Sequence, residues 1–228
     1  MRSVFVISLP RSLSSLTYQA VREALRLSAP AWVSDGEVLN HDRYAMHGDP
    51  RFQLGRKYTR PAEEPQLAAA LHAFLDQVIQ PEGFIYKDVV QPFVIAGWLA
   101  RAGNQLSVLR IRRPITDVAL SMLERRWLYP AKPPWSDGVE SALLRGLLDA
   151  QAALDSVPGA VDVDYDALIH DETALLNAVR TLAPEAGLGA PSYFGPGFAE
   201  YRENRLARRN GQAWQILRTK LEELGATV

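Results

Sequence analysis

A short, wholly apolar run, Val4-Phe5-Val6-Ile7, passes directly into the polar segment Ser8-Leu9-Pro10-Arg11-Ser12-Leu13-Ser14-Ser15. A helical stripe of Leu16, Ala20, Val21, Ala24, Leu25 and Leu27 follows, with Arg22 and Arg26 on its other side. A strand with no polar face has to be covered on both sides, which is the situation of an inner strand in a parallel sheet. The serines ahead of the stripe are expected to cap the helix start. The chain therefore opens as strand, polar loop and helix.

The same alternation continues. Ala31-Trp32-Val33 reads as a second strand, followed by a polar stretch over 34–64 with little periodicity. Pro65 can begin a helix with the stripe Leu67, Leu71, Phe74, Leu75 and Val78. Pro81-Glu82-Gly83 then turns the chain into Phe84-Ile85-Tyr86, a third strand ending at Lys87-Asp88. A helix over 92–102, a strand over 106–111 and a helix opened by Pro114 come next. After an aromatic, Pro-rich loop (128–138) the pattern predicts a long helix over 139–156, a strand over 160–163, and helices over 171–183 and 212–224. Five strand-like runs alternating with helices predict an α/β fold: one domain over 1–228, a five-stranded parallel sheet flanked by helices. With 228 residues, 47% of them apolar, the chain suits one filled core. Ligands of such sheets bind beyond the carboxyl ends of the strands, here after Leu9, Val33, Tyr86, Ile111 and Val163.

Several function classes are disfavoured. Twenty-five basic residues balance 26 acidic ones, so no global attraction to nucleic acid or an anionic membrane is expected, and any anion site is local. The chain has no cysteine, which removes disulfides, thiolate nucleophiles and cysteine-bound zinc. The four histidines (His41, His47, His72, His170) show no metal-ligand spacing, so no metal is expected. No apolar run approaches the roughly 18 residues of a membrane span. A strand beginning at Val4 leaves no room for a signal-peptide n-region. The expectation is a cytoplasmic enzyme.

The loop after the first strand carries the sharpest signal. A loop opening onto a helix start presents free backbone N–H groups and the positive end of the helix dipole, which suits a phosphate or sulfate. Arg11 adds a positive charge, and Ser12, Ser14 and Ser15 add hydroxyl donors. It is not a Walker A loop, which needs glycines and a lysine that are absent here. Instead, Pro10-Arg11-Ser12-Leu13-Ser14-Ser15 resembles the 5′-phosphosulfate loop of PAPS-dependent sulfotransferases, with Leu13 where that family usually has glycine. The resemblance implies that Pro10, Arg11, Ser12, Leu13, Ser14 and Ser15 hold the donor's 5′ end.

A second stretch, Arg112-Arg113-Pro114-Ile115-Thr116-Asp117-Val118-Ala119-Leu120-Ser121, resembles the family's 3′-phosphate site. The family's spacing selects Arg113 with Ser121, whereas its Arg-x-Pro pattern selects Arg112. Adjacent strand residues face opposite ways, so one of the two is expected to reach the phosphate, and spacing favours Arg113. The segment Val163-Asp164-Tyr165-Asp166-Ala167-Leu168 resembles the family stretch whose tyrosine lies near the adenine, which implies that role for Tyr165. Finally, Arg208-Arg209-Asn210-Gly211-Gln212-Ala213-Trp214 resembles the loop that closes over the 3′-phosphate, with donors from Arg208, Arg209 and Gly211. The matches run from Ser8 to Trp214, and imply PAPS as co-substrate and PAP as product.

Lys87 ends the third strand on the same edge. Cytosolic family members carry Lys-Thr-His-Leu-Pro there, with a basic histidine and a lysine supporting the leaving group. This chain has Lys87-Asp88-Val89-Val90-Gln91-Pro92, so the lysine matches and the histidine is replaced by Val89. An acceptor hydroxyl needs a base. Glu37, just after the second strand, is the first choice, followed by Asp88, Asp35 and His41. Arg11 and Lys87 would neutralise charge on the leaving oxygen. The acceptor, a small molecule or carbohydrate, is expected to meet residues 37–60 and the loop from Trp127 to Trp135. Arg51, Arg56, Lys57 and Arg60 suit an anionic acceptor or a solvated basic loop. Two further functions fit the same strand-loop-helix opening: a P-loop small-molecule kinase, and a non-catalytic nucleotide-binding module of the same fold.

Overall fold

The computed structural model describes residues 1–32, 36–40, 57–133, 135–170, 173–184 and 198–226. Among these, strands β1 (Val4–Ser8), β2 (Ile85–Asp88), β3 (Ser107–Arg112) and β4 (Val161–Asp164) form a parallel sheet in the order β2-β1-β3-β4. The helices, in chain order, are α1 (Ser14–Leu25), α2 (Pro65–Val78), α3 (Pro92–Ala102), α4 (Ile115–Glu124), α5 (Val139–Asp155), α6 (Tyr165–His170), α7 (Thr173–Leu182), α8 (Ala199–Arg209) and α9 (Gln212–Glu223). This is a single α/β domain.

Every residue of β1 is buried, as its unbroken apolar run requires. Its side chains alternate between two cores. Phe5 and Ile7 join the layer built by α2, α3, α4, α5 and α9, which includes Leu71, Val94, Leu143 and Leu217. Val4 and Val6 join the layer built by α1, α6 and α7, which includes Val21, Leu168 and Val179. The strand order reverses direction between β1 and β3, so the crevice at their carboxyl ends is where a ligand is expected.

The sheet has four strands, not the five that the sequence pattern predicts. Ala31 and Trp32 lie in a turn, and Val33 lies outside the described residues. Trp32 is used for packing instead, edge-on to Phe74 at 5.7 Å. Beyond β2 the sheet edge is met at two isolated parallel bridges, Ser28 with Phe84 and Glu37 with Lys87. The second bridge is closed by Lys87 N–H donating to Gly36 O and Val38 N–H donating to Lys87 O, at 2.8 and 3.0 Å. Gly36 is required there: its φ is +83°, and a Cβ would lie 2.4 Å from the Tyr18 ring. The backbone thus delivers Glu37 to the end of β2 without a continuous strand. The short α6 and the polar α8 add helices where the sequence showed no apolar stripe. No described helix is long and apolar enough to cross a membrane.

Candidate functional site

At the carboxyl ends of β1, β2 and β3 lies an open cleft of about 480 Å³. The loop 10–16 forms its floor, Glu37, Asn40, Lys57, Val89 and Val90 one side, and Arg113, Ser121, Tyr201 and Arg208 the other. Trp127 and Tyr129 complete the wall.

The floor starts where β1 ends. Leu13 is the residue preceding α1 and adopts a left-handed backbone, φ 59° and ψ 22°. Arg11 is also left-handed, at φ 62°. That conformation costs a residue with a Cβ about 1–2 kcal/mol, and glycine avoids the cost. The Leu13 side chain offsets part of it by packing against the core beneath α1. Contrary to the sequence expectation, no side chain caps α1. The Ser12 hydroxyl is 3.4 Å from Pro10 O, and Ser15 accepts from Lys87, so these serines are engaged elsewhere. Thr17 N–H donates to Leu13 O at 2.9 Å, so the N–H groups that this uncapped helix start leaves for a ligand are those ahead of Thr17, in a loop that lines the cleft.

Lys87 is fully buried. Its ammonium donates to Ser15 Oγ at 2.7 Å and to Glu37 Oε1 at 2.9 Å. Glu37 Oε2 accepts from Asn40 Nδ2 at 2.6 Å. Loop floor, strand end and bridging segment meet in this one cluster.

Asp88, the next candidate base from the sequence, points the other way. It is buried, does not line the cleft, and accepts the backbone N–H groups of Leu39, Val90 and Gln91 at 2.9, 2.9 and 2.8 Å. Burial pushes its carboxyl up to about 7, aided by the negative Glu37, while these N–H donors pull it down. Its work is to hold backbone, together with Gln91, whose Oε1 accepts Thr59 N–H at 2.8 Å. Asp35 and His41, also candidate bases, lie outside the described residues, as do the basic Arg51 and Arg56.

On the opposite side the two adjacent arginines separate. Arg112 forms ion pairs with Asp155 and Asp162, both at 2.9 Å, and does not line the cleft. Arg113 lines the cleft, donates to Arg11 O, and leaves its buried Nε without a partner. Its guanidinium lies 4.5 Å from the Tyr165 ring centre. Arg11 Nε donates to Ser121 Oγ at 3.2 Å, and its guanidinium lies 5.4 Å from the Trp127 ring centre. Arg11, Arg113 and Ser121 thus form one donor cluster.

Tyr165 does not line the cleft. It is fully buried, with Arg113 over one part of its ring and Arg205 also 4.6 Å from its centre, and its hydroxyl hydrogen-bonds Tyr201. Tyr201 is the tyrosine that reaches the cleft. Of the three C-terminal residues, Arg208 alone lines the cleft, paired with Glu124. Arg209 is drawn inward to Asp117 and Asp166. Gly211 precedes α9, beneath Arg208 O, and does not line the cleft. Asp117, buried, collects Arg205, Arg209 and the Trp214 indole N–H. Burial alone would raise its carboxyl, but Arg209, Arg205 and Trp214 hold it below the ordinary value.

Sequence reasoning missed Tyr201 as a site residue and named Asn40 only as part of the acceptor stretch 37–60. Asn40 stands three positions after Glu37, close enough to be found once Glu37 was chosen. Tyr201 lies in a helix with a single buried residue, Arg205, so no apolar stripe announced it.

No protein-family model matches this chain, and no curated protein does. Among solved structures it is similar to a sulfotransferase from Alicyclobacillus acidocaldarius over 97% of this chain and 94% of the other, at 14% identity and a TM-score of 0.47. A likeness that faint carries nothing about chemistry.

Proposed function

We propose that the chain is a sulfotransferase, moving the sulfuryl group of PAPS to an acceptor hydroxyl or amine and releasing PAP. One observation carries this reading. Two guanidinium groups on neighbouring strand ends, Arg11 and Arg113, meet no carboxylate among the described residues and flank an uncapped helix start. A nucleotide phosphorylated at its 3′ and 5′ positions presents anions to both: the 5′ end to the α1 N–H groups and Arg11, the 3′-phosphate to Arg113 and Ser121.

The residues can then divide the chemistry. The acceptor oxygen or nitrogen forms its bond to sulfur as the bond from sulfur to the 5′-phosphate oxygen breaks, and the electron pair leaves on that oxygen. An ammonium has three N–H donors. Ser15 and Glu37 take two from Lys87, which is fully buried and does not line the cleft, so its charge reaches the leaving oxygen through the Ser15 hydroxyl, which does. Arg11 and the helix start neutralise the remaining charge. Glu37 takes the acceptor's proton, held in place by Asn40. Tyr129 is unsuited to that task. Burial first, then the charges of Glu37 and Asp88, push its hydroxyl well above its ordinary value.

Calorimetry in EDTA with PAP and AMP tests the donor site. PAP should bind ten- to a hundredfold more tightly, as loss of a charge-assisted contact worth about 1.5–3 kcal/mol implies. Equal affinities would remove the 3′-phosphate site. Release of PAP from PAPS with an acceptor present tests the reaction itself.

A further inference from the structure

Cations at the cleft fall into two groups. Lys87, buried behind the lining, is paired with Glu37, and Arg208, on the wall, with Glu124. Arg11, Arg113 and Lys57 meet no carboxylate among the described residues. The proposed donor has two anionic ends and uses Arg11 and Arg113 for them. Lys57 is left over.

Its placement separates it from the donor. The segment bearing Lys57 is tied to the β2 side, through Tyr58 N–H to Val90 O at 2.8 Å and Thr59 N–H to Gln91. Arg113 follows β3, and β2 and β3 lie on opposite sides of β1, about 10 Å apart by the usual strand spacing. Lys57 Nζ sits 5.1 Å from the centre of the Tyr129 ring. The same ring is close enough to Glu37 for that carboxylate to shift its hydroxyl. Trp127 lies beside it, ring centres 6.4 Å apart, and is 42% exposed. Three positions further on, Arg60 is committed to Asp149 and Glu63, so the basic residues of this stretch do not share one fate.

We infer that Lys57, with Trp127 and Tyr129, forms an acceptor subsite for a ring-bearing molecule that carries an anionic group beside the hydroxyl or amine to be sulfated. This rests on the sulfotransferase reading and specifies its substrate class. A ring lies against the aromatic wall, its carboxylate or phosphate meets Lys57, and its nucleophile reaches Glu37. A cation partly desolvated in a cleft discriminates strongly between charged and neutral ligands, because a neutral one leaves it unpaired.

Calorimetry on PAP-saturated protein titrated with inorganic phosphate reads the subsite without the true acceptor. The expected result is one phosphate bound in the millimolar range, lost in Lys57→Ala, kept in Lys57→Arg, with PAP affinity within about twofold in all three. No phosphate binding to the saturated wild type, or equal binding in Lys57→Ala, overturns the inference. PAPS turnover with matched acceptors, phenol against 4-hydroxybenzoate and glucose against glucose 6-phosphate, gives the second readout. Where either pair turns over, the anionic member should lead by about tenfold or more in kcat/KM, mostly through KM, and lose that lead in Lys57→Ala. A neutral member that equals its partner overturns the inference while leaving sulfuryl transfer intact. Failure of PAP to bind at all defeats the donor reading instead.

Discussion

On the β3 side of the cleft, guanidinium groups meet carboxylates: Arg110 and Arg112 pair with Asp162, and Arg205 and Arg209 with Asp117. On the β2 side, neutral or single charged groups hold backbone: Asp88 accepts three N–H groups and Gln91 one. The difference teaches where to look for an anion site. Most arginines on the β3 side are already neutralised and hold helices to the sheet. Their number therefore says little about ligand, and the informative ones are those that meet no carboxylate. On the β2 side charge is scarce, so the Lys87–Glu37 pair and Lys57 each stand out.

Four substitutions probe that contrast. Glu37→Gln, on the β2 side, should have the largest effect: kcat falls by about 10²–10⁴, as expected for loss of a general base, with PAP affinity retained. Gln keeps an oxygen for Lys87 but leaves that buried ammonium without its counter-charge, so the thermal midpoint should fall as well and kcat is to be read well below it. A loss under tenfold on a true acceptor would remove Glu37 from that role. Arg113→Ala should weaken PAP binding about ten- to a hundredfold in calorimetry and leave AMP binding nearly unchanged.

Asp88→Asn should act on stability and its pH dependence. The amide presents one acceptor oxygen, so one of the backbone N–H groups is orphaned, at about 1–3 kcal/mol in chemical denaturation. The carboxyl is raised from 3.8 to about 7 in the folded chain, so the native state holds the proton more firmly than the unfolded state does. This group's contribution is therefore greatest below its unfolded value and is lost as pH rises towards 7. The variant should show a flatter stability curve between about pH 4 and 7. An unaltered curve would mean that the N–H donors outweigh burial. Arg112→Ala should do least: PAP affinity within about threefold, and stability within about 1 kcal/mol for its half-exposed ion pairs. If Arg112→Ala lost PAP and Arg113→Ala did not, the division between neutralised and free arginines would fail.

Much of the frame was legible because β1 is an unbroken buried run, while β2, β3 and β4 keep enough Val, Ile, Leu and Tyr between helical stripes to read as strands despite Lys87, Arg110 and Asp162. The separation of Arg112 from Arg113 was legible too, since neighbours on a strand diverge. The fifth strand was misread because Ala31-Trp32-Val33 carries the right residue types, whereas backbone bridges at Ser28 and Glu37 form the edge. Nothing in the apolar side chain of Leu13 signals a left-handed backbone, and an expectation of serine caps followed from composition alone. Tyr165 was assigned to the site by the resemblance of the segment 163–168 to the family's tyrosine stretch, yet the guanidinium groups around its ring are set by residues 113 and 205, far apart in sequence.

The Asp117 cluster bears on how the cleft comes into being. Among the described lining residues, Tyr201 and Arg208 are the last to be synthesised, and α8 and α9 are fastened to α4 by Arg205, Arg209 and Trp214 on that one carboxylate. A nascent chain that ends before Ala199 already owns the loop after β1, Lys87 and Arg113. It has Asp117 without those cations, a hydrated negative charge at the seat of the missing helices, and burying it unpaired would cost about 3–5 kcal/mol. That charge favours the arrival of the C-terminal arginines and disfavours premature packing of an apolar segment in their place. The carboxylate that steadies the finished wall thus keeps its berth open during biosynthesis.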